Sequence, residues 1–255
     1  MSYTNYRNWR DTPEQRPLDL SIVIPAFNEQ DRIVPTIGAF AAHLAGRDLA
    51  WELIVSDDGS RDDTRALVGL LDHANIRVLE APSNGGKGAA VRRGMAAAAG
   101  RMVLFADADC STPAHELDGL ISEIEGGCDV AVGSRAASGA QVANRSRLRR
   151  LLTKGLRSIV RIGLGVPLED TQCGFKLFTR EAARRLFTAQ TVNGFSFDLE
   201  VLFIAGRLGM RIAEVPVRWY DAPGSKVDAR KEIVRFLGSI ATIRFNSFRG
   251  VYGNV

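Results

Sequence analysis

Little in this sequence would let an outside agent staple or anchor the chain. Three cysteines in 255 residues, Cys110, Cys128 and Cys173, are odd in number, widely spaced and free of any Cys-x-x-Cys pair. That argues against a disulfide framework and a zinc site and fits a reducing compartment. Histidine is as scarce: His43, His73 and His115 fall in helical patterns away from the polar clusters described below. No apolar run approaches the roughly 18 residues a spanning helix needs; the nearest, Met95 to Ala108, is broken by Arg101. Residues 1–17 are polar and lack the apolar stretch of a secretion signal, so they read as a loose arm and the cytoplasm is the expected compartment. Two nucleotide signatures are missing too. Ala81 stands where a Walker loop needs its first glycine and Gly88 where it needs Ser or Thr, and no Gly-x-Gly-x-x-Gly follows the first strand.

What is present is enough apolar residue, 45%, to bury one substantial core, with 24% charged residues and a modest net charge of +4. Strand-like runs at Leu18–Ala26, Trp51–Val55, Ile76–Glu80, Val103–Ala106 and Asp129–Gly133 alternate with helical patterns to about Leu44, from Asp63 to His73, to Ala99 and from Pro113 to Glu125. Alternation of this kind predicts crossover units and a mostly parallel central sheet. Ligands of such sheets bind beyond the carboxyl ends of the strands. Asn28, Asp58, Lys87 and Asp109 all follow strands and are expected to share that rim.

The fourth run ends on Asp107-Ala108-Asp109. Two carboxylates one residue apart can hold a hard divalent cation and leave the rest of its coordination sphere to water and phosphate; the same triplet also occurs in turns, where Asp caps a helix. Gly85-Gly86-Lys87-Gly88 offers glycines that let amides approach an anion, a lysine to pair with it and a helix start, though a plain turn has the same composition. A diphosphate beside two carboxylates requires a cation between them, since unit charges at close range in a cleft repel by about 4 kcal/mol per pair. Asp57 and Asp58 are then available to a base or ribose, or to cap the next helix.

Together, Ile24-Pro25-Ala26-Phe27-Asn28-Glu29, Asp57-Asp58-Gly59-Ser60, Asn84-Gly85-Gly86-Lys87-Gly88 and Asp107-Ala108-Asp109, in this order, resemble the family 2 inverting glycosyltransferases. The resemblance spans about residues 20–228. It implies an α/β fold, a single GT-A (Rossmann-like) domain over 18–228, with a nucleotide-sugar donor and Mg²⁺ or Mn²⁺. Asp170-Thr171-Gln172-Cys173-Gly174-Phe175-Lys176, Phe195 to Glu200, and Trp219 with Gly224-Ser225-Lys226 are similar to the dolichyl- and polyprenyl-phosphate branch. The glucosyl members are nearer than the mannosyl ones, which carry Ser-Gly-Phe-Arg where this chain has Cys173-Gly174-Phe175-Lys176.

Carried over, the resemblance assigns Pro25, Asn28, Glu29, Asp57, Asp58, Asn84, Lys87 and Ala108 to the donor and Asp107 and Asp109 to the metal. Arg135, Gln172, Lys176, Ser225 and Lys226 go to the acceptor phosphate. Asp109, Asp170, Lys176 and Lys226 carry the chemistry, with Asp170 on the donor sugar or orienting a cation. Ser111 stands where some relatives offer the metal a glutamine. The acceptor implied is a polyprenyl phosphate, the donor a UDP-hexose or UDP-N-acetylhexosamine, and the place the cytoplasmic face of a membrane, with room for a separate anchoring protein.

Two basic amphipathic stretches fit that setting. Arg145, Arg147, Arg149, Arg150, Lys154, Arg157 and Arg161 interleave with Leu148, Leu151, Leu152, Leu156, Ile159 and Val160 at helical spacing. In the terminal helix, 229–255, Ile233, Phe236, Leu237, Ile240 and Ile243 form a stripe among Arg230, Lys231, Arg235, Arg244 and Arg249. Each cation near an anionic surface is worth about 1 kcal/mol; packing on the domain would use the same pattern. No recognition module accompanies the arginines, so nucleic acid is not expected. Three alternatives stay open: a sugar-nucleotide pyrophosphorylase, although Pro25–Glu29 replaces the Gly-rich loop it should have; a non-catalytic nucleotide-sugar or lipid-binding scaffold; and a polysaccharide acceptor, for which Asp170 or Asp198 would act as base.

Overall fold

The computed structural model describes residues 16–142, 157–220 and 229–253, with the single positions 4 and 11. Strands β1 (Leu20–Ala26), β2 (Trp51–Asp57), β3 (Ile76–Glu80), β4 (Met102–Ala106) and β5 (Val130–Ser134) lie near the runs read from the sequence. Helices α1 (Ile33–Leu44), α2 (Thr64–Gly69), α3 (Lys87–Ala97) and α4 (Leu117–Glu125) connect them, α2 ending well short of His73. A two-residue pair follows, β6 (Gln141–Val142) with β9 (Arg218–Trp219). Beyond them come β7 (Phe175–Thr179), α5 (Arg180–Ala189), α6 (Phe197–Arg207), β8 (Ile212–Pro216) and the terminal α7 (Ala229–Phe248); residues 157–164 are also helical.

The main sheet has the order β3-β2-β1-β4-β7-β5-β8. Every pairing is parallel except those of β7, which runs antiparallel to both β4 and β5. All seven residues of β1 and of β2 are buried, as strands covered on both faces must be. Alternate side chains divide between two layers. Leu20, Ile22 and Ile24 pack with Ile33, Ile37, Phe40 and Leu44 of α1 and Leu117 and Leu120 of α4. Val23, Ile54, Val103 and Phe105 pack on the other face with Val91, Met95, Leu186, Phe187, Phe197 and Leu202.

The terminal helix turns its stripe inward. Phe236, Ile240 and Ile243 are buried in the second layer together with Val160 and Leu164, and Arg244 Nε donates to the Gly163 carbonyl at 2.5 Å. Leu237 and Ile159 stay partly exposed, and Ile162, Phe245 and Phe248 face outward. Packing on the domain thus takes most of a pattern that also suited a bilayer. The cations Arg145 to Lys154, the leucines 148 to 156, Ser225 and Lys226, the side chains of Arg230, Lys231 and Ile233, and most of the arm 1–17 lie outside the described residues.

The approach of α3 to β1 is set by Gly94, where an added Cβ would fall 2.3 Å from Val23 Cγ1. Overpacking of that kind costs about 1–3 kcal/mol. Gly94→Ala is therefore expected to lower the urea midpoint without changing the m-value, and an unchanged midpoint would show that α3 can slide on the sheet.

Candidate active site

Strand β4 delivers Asp107 to the rim, where the Asp107 N–H donates to the Gly174 carbonyl, at 2.9 Å, just before β7. Since β7 is reversed, its beginning lies at the carboxyl end of its neighbours, so Asp170 to Gly174 come to the same edge as Asp107 and Asp109. A Cβ on Gly174 would sit 1.9 Å from Asp107 Oδ2, so only glycine leaves room for that carboxylate. Asp109 Oδ1 accepts from the Ser111 N–H at 3.0 Å, closing a turn in which Cys110 takes φ +52°. Ala108 is buried, its carbonyl held by Thr36 Oγ1 at 2.7 Å. Asp107, Asp109, Ser111, Thr112, Arg135, Gln172 and Trp219 line a cavity of about 80 Å³.

Among the described residues no group of three or more His, Cys, Asp and Glu stands ready for a metal. Two carboxylates at the mouth of a polar cavity, one seated in a cradle that a Cβ would fill, do fit a hard cation that takes its other ligands from water and phosphate.

Lys87 opens α3 and pairs with Asp107 Oδ1 at 2.6 Å. Burial opposes its charge, but the carboxylates of Asp107, Asp198 and Asp109 hold its pKa above the usual value. The glycines before it do not present their amides to a ligand. Gly85 and Gly86 N–H donate to the Asp58 carboxylate at 2.8–3.1 Å, and Gly88 N–H donates to the Asn193 carbonyl at 2.7 Å. The anion in the nest is the protein's own, which corrects the reading of this loop as a diphosphate cradle and of the Asp58 carboxylate as free for ribose.

Asp57 is fully buried. Its Oδ2 accepts from Gly59 and Ser60 N–H at 3.1 and 3.0 Å, while Oδ1 has no hydrogen-bond partner. Asn28, at φ +56°, donates its N–H to Ser60 Oγ at 2.9 Å and accepts from Arg61 N–H through Oδ1 at 2.8 Å. Glu29 pairs with Arg32 at 2.6 Å, and Pro25 lies inside β1 opposite Ser56. Beside them Phe27, Ser60, Arg61, Arg65, Ser83 and the exposed Asn84 line a wider cleft of about 540 Å³.

Two cations expected at the acceptor phosphate are differently placed. Lys176, on β7, is buried and donates to Asp198 Oδ1 at 2.7 Å and to the Cys173 carbonyl. It cannot reach a lipid phosphate, because its ammonium is spent on the carboxylate of α6. Burial pushes the Asp198 carboxyl up, against the pull of Lys176 and Lys87; Asp198 is a core counter-ion with its charge already claimed. Arg135, just after β5, does line the cavity, its Nε and Nη2 bidentate on Asp170 at 2.6 and 2.9 Å and its guanidinium 5.5 Å from the Trp219 ring centre. Although burial alone would raise the Asp170 carboxyl, Arg135 holds it at about 2. Gln172 N–H donates to Asp170 Oδ1 at 3.2 Å. Glu214, on β8, was not singled out from the sequence; it accepts from Glu169 and Asp170 N–H at 2.8 and 3.0 Å and so seats the Asp170 loop. Its only sequence signal was a carboxylate inside a short strand.

The reversed strand inside an otherwise parallel sheet, with an acidic pair at its rim, matches the GT-A fold of solved glycosyltransferases. Solved glucosyl-3-phosphoglycerate synthase from Mycobacterium tuberculosis shares this fold. Its complex with phosphoglyceric acid has a TM-score of 0.65 at 23% identity, covering 90% of this chain and 79% of that one. Its complex with Mn²⁺ and UDP-glucose has a TM-score of 0.63 at 22%, covering 88% and 79%.

The chain belongs to glycosyl transferase family 2, whose family model matches residues 21–187. A dolichyl-phosphate beta-glucosyltransferase of Trichomonas vaginalis is 42% identical over 220 residues, 81% of this chain and 65% of that protein. The one of Dictyostelium discoideum is 36% identical over 256 residues, covering 93% and 78%. The one of Saccharomyces cerevisiae is 32% identical over 266 residues, covering 96% and 80%. The chain therefore spans about two thirds to four fifths of these relatives.

The Arg135–Asp170 pair carries a pH signature. A carboxyl lowered from 3.8 to about 2 on folding contributes stability that is complete above the higher value and lost as pH falls through the lower. Acid unfolding of the wild type should steepen below pH 3.8. Asp170→Ala, which strands a buried guanidinium, should lose about 3 kcal/mol at neutral pH and flatten that acid limb. A neutral-pH midpoint equal to wild type would mean that the pair is solvated.

Proposed function

We propose that the chain transfers glucose from UDP-glucose to a polyprenyl or dolichyl phosphate, with inversion at C1, on the cytoplasmic face of a membrane. The observation that carries this reading is the state of three carboxylates at and behind the rim, Asp170, Asp198 and Asp58. Asp170 is held ionised by Arg135, Asp198 is consumed by Lys176, and Asp58 is filled by amides. None of these three is free to serve as a general base. A hydroxyl acceptor on a polysaccharide would need one; a phosphate, already largely ionised near neutral pH, does not. The names of the relatives and the UDP-glucose complex of the structural neighbour support the same donor and acceptor.

In this reading Asp107 and Asp109 hold Mg²⁺ or Mn²⁺, which when bound supplies positive charge to the leaving diphosphate. Lys87, charged and 2.6 Å from Asp107, adds a second positive group at the same place. The nucleoside lies in the cleft beside Phe27, Ser60 and Asn84, and Pro25, Asn28, Glu29 and Asp57 shape that wall through the turns they close. Arg135, fixed by Asp170 and Trp219, faces the acceptor phosphate together with Gln172, with Ser225 and Lys226 as further contacts. A phosphate oxygen attacks C1 from the side opposite the diphosphate: the new C1–O bond forms as the bond to UDP breaks, and an α-linked donor gives a β-linked product. Two charges of like sign meet at C1, so the barrier falls with the positive charge held there rather than with proton transfer.

No described helix is long and apolar enough to cross a membrane. Surface attachment would draw on Ile162 and Phe248, 82% and 92% exposed, with Arg161, Arg244 and Arg249 around them. A separate anchoring protein remains part of the proposal.

Transfer from a panel of UDP- and GDP-sugars to a polyprenyl phosphate in detergent tests the reaction. A chloroform-soluble, β-linked product is expected from UDP-glucose, abolished by chelator and reduced about 100-fold or more by Asp109→Ala; donor hydrolysis without lipid product would remove the acceptor assignment. For attachment, Ile162→Glu with Phe248→Glu should reduce co-sedimentation with anionic vesicles at low salt, and equal sedimentation of both proteins would place the contact elsewhere.

A further inference from the structure

The carboxyl-terminal end of the chain reaches the glycine loop through an unbroken series of hydrogen bonds. Tyr252 is buried, and its hydroxyl donates to Glu200 Oε1 at 2.7 Å. Glu200 is fully buried in the first turn of α6, and its other partners all belong to one loop: Thr191 N–H at 2.8 Å, Val192 N–H at 2.7 Å and the Thr191 hydroxyl at 2.5 Å. Asn246, on α7, donates to the same Thr191 oxygen at 3.1 Å.

That loop is the seat of the α3 N-terminus. The Asn193 carbonyl accepts from Gly88 N–H at 2.7 Å and from Ala89 N–H at 3.3 Å, where a helix start otherwise needs a capping side chain or an anion. Gln190 Nε2 donates to the Gly88 carbonyl at 3.0 Å and back to Val192 at 2.7 Å. The contact admits no side chain, since a Cβ on Gly86 would lie 2.4 Å from the Asn193 oxygen and one on Gly88 2.5 Å from the Val192 oxygen. Lys87 stands between those two glycines, its ammonium 5.6 Å from the centre of the Phe195 ring of the same segment. Every residue of this series from Gln190 to Tyr252 lies beyond residues 21–187, the part that the family model matches.

We propose that Tyr252 and Asn246 are positioning residues for Lys87, acting through Glu200 and the 190–194 loop, so that the terminal helix forms part of the donor site. Glu200 is a buried acceptor of four hydrogen bonds, three from the loop and one from Tyr252. Removing one leaves the others to hold the same carboxylate with less restraint, and the slack passes to the carbonyls that seat Gly88. The tie is structural and independent of what the rim binds; its consequence for catalysis rests on the nucleotide-sugar reading above.

The test uses the full chain with Tyr252→Phe, which removes one oxygen, and Asn246→Ala, which removes a partly exposed amide. Hydrogen exchange followed by mass spectrometry reads the tie without any ligand. Both variants should speed exchange roughly fivefold at Thr191–Val192 and Gly88–Ala89 while β1 and β4 keep wild-type protection. Calorimetry with UDP-glucose and Mn²⁺ should then show several-fold weaker binding in both. Unchanged exchange at Gly88–Ala89 would overturn the proposal, as would faster exchange spread evenly over β1 and β4, which would make Tyr252 a matter of general stability. A wild type that binds no UDP-glucose removes the donor assignment, while the exchange pattern still decides the tie.

Discussion

The hydrogen bond from Asp107 N–H to the Gly174 carbonyl joins the end of one strand to the beginning of a reversed one, and the site is assembled around that junction. An all-parallel sheet would bring only strand ends to its rim. Reversal of β7 adds a strand beginning, and with it the loop that carries Asp170, Gln172 and Gly174. The cost is close approach: the Asp107 carboxylate lies where a side chain on Gly174 would have to go. The same reversal sets Lys176 opposite Phe105 in the sheet, pointing its ammonium into the core, where Asp198 must meet it.

Two lysines and two aspartates are thus interleaved, one pair at the rim and one behind it. Lys176 and Asp198 are almost wholly buried, whereas Lys87 and Asp107 are 21% and 32% exposed at the side chain. A buried pair repays its desolvation only when its geometry is good and its remaining valences are filled. The inner pair meets that condition through the Cys173 carbonyl and by lying near the Phe105 ring. The outer pair is the one a ligand can reach. Neutralising the inner charges within the protein leaves the field at the rim to Asp107, Asp109, Lys87 and the Arg135–Asp170 pair, the groups that face the cavity or border it.

How legible this was depends on what fixed each residue. β1, β2, β4 and β5 were readable because buried strands are mostly apolar runs, β3, a part-exposed edge strand, because Ile76, Val78 and Leu79 stand between turn signals, and the acidic pair because it ends one of these runs. Position at a strand end located Asn28, Asp58, Lys87 and Asp109 at one edge, but composition could not say which anion a glycine nest holds. Asp58 lies 27 residues from Gly85 in the chain, and only the fold shows that its carboxylate fills the nest. β7 and β8 are five residues each, with a lysine or a glutamate inside them, so no periodicity marks them out. Lys176 looked like a cation for a phosphate for the same reason: its motif is local, whereas its partner Asp198 is 22 residues further on. Glu200 stood out only as the end of the Phe195–Glu200 motif, which names no partner for it, and Tyr252 carried no signal, since a tyrosine near a terminus is ordinary until the fold joins the two.

The terminal helix shows why an amphipathic pattern does not choose its own partner. Fully burying a large apolar side chain is worth about 1.5–3 kcal/mol whether the cover is protein or lipid. Phe236, Ile240 and Ile243 take that stabilisation from the domain. Among the described side chains, Leu237, Phe245 and Phe248 remain outward on this helix, with Ile162 on the neighbouring helical segment. Any attachment through these side chains would add charge attraction to apolar insertion, and salt screens the charge part. The inward stripe also makes α7 part of the folded domain rather than a detachable anchor. Anything that bound this helix would therefore act on the same body that seats the glycine loop.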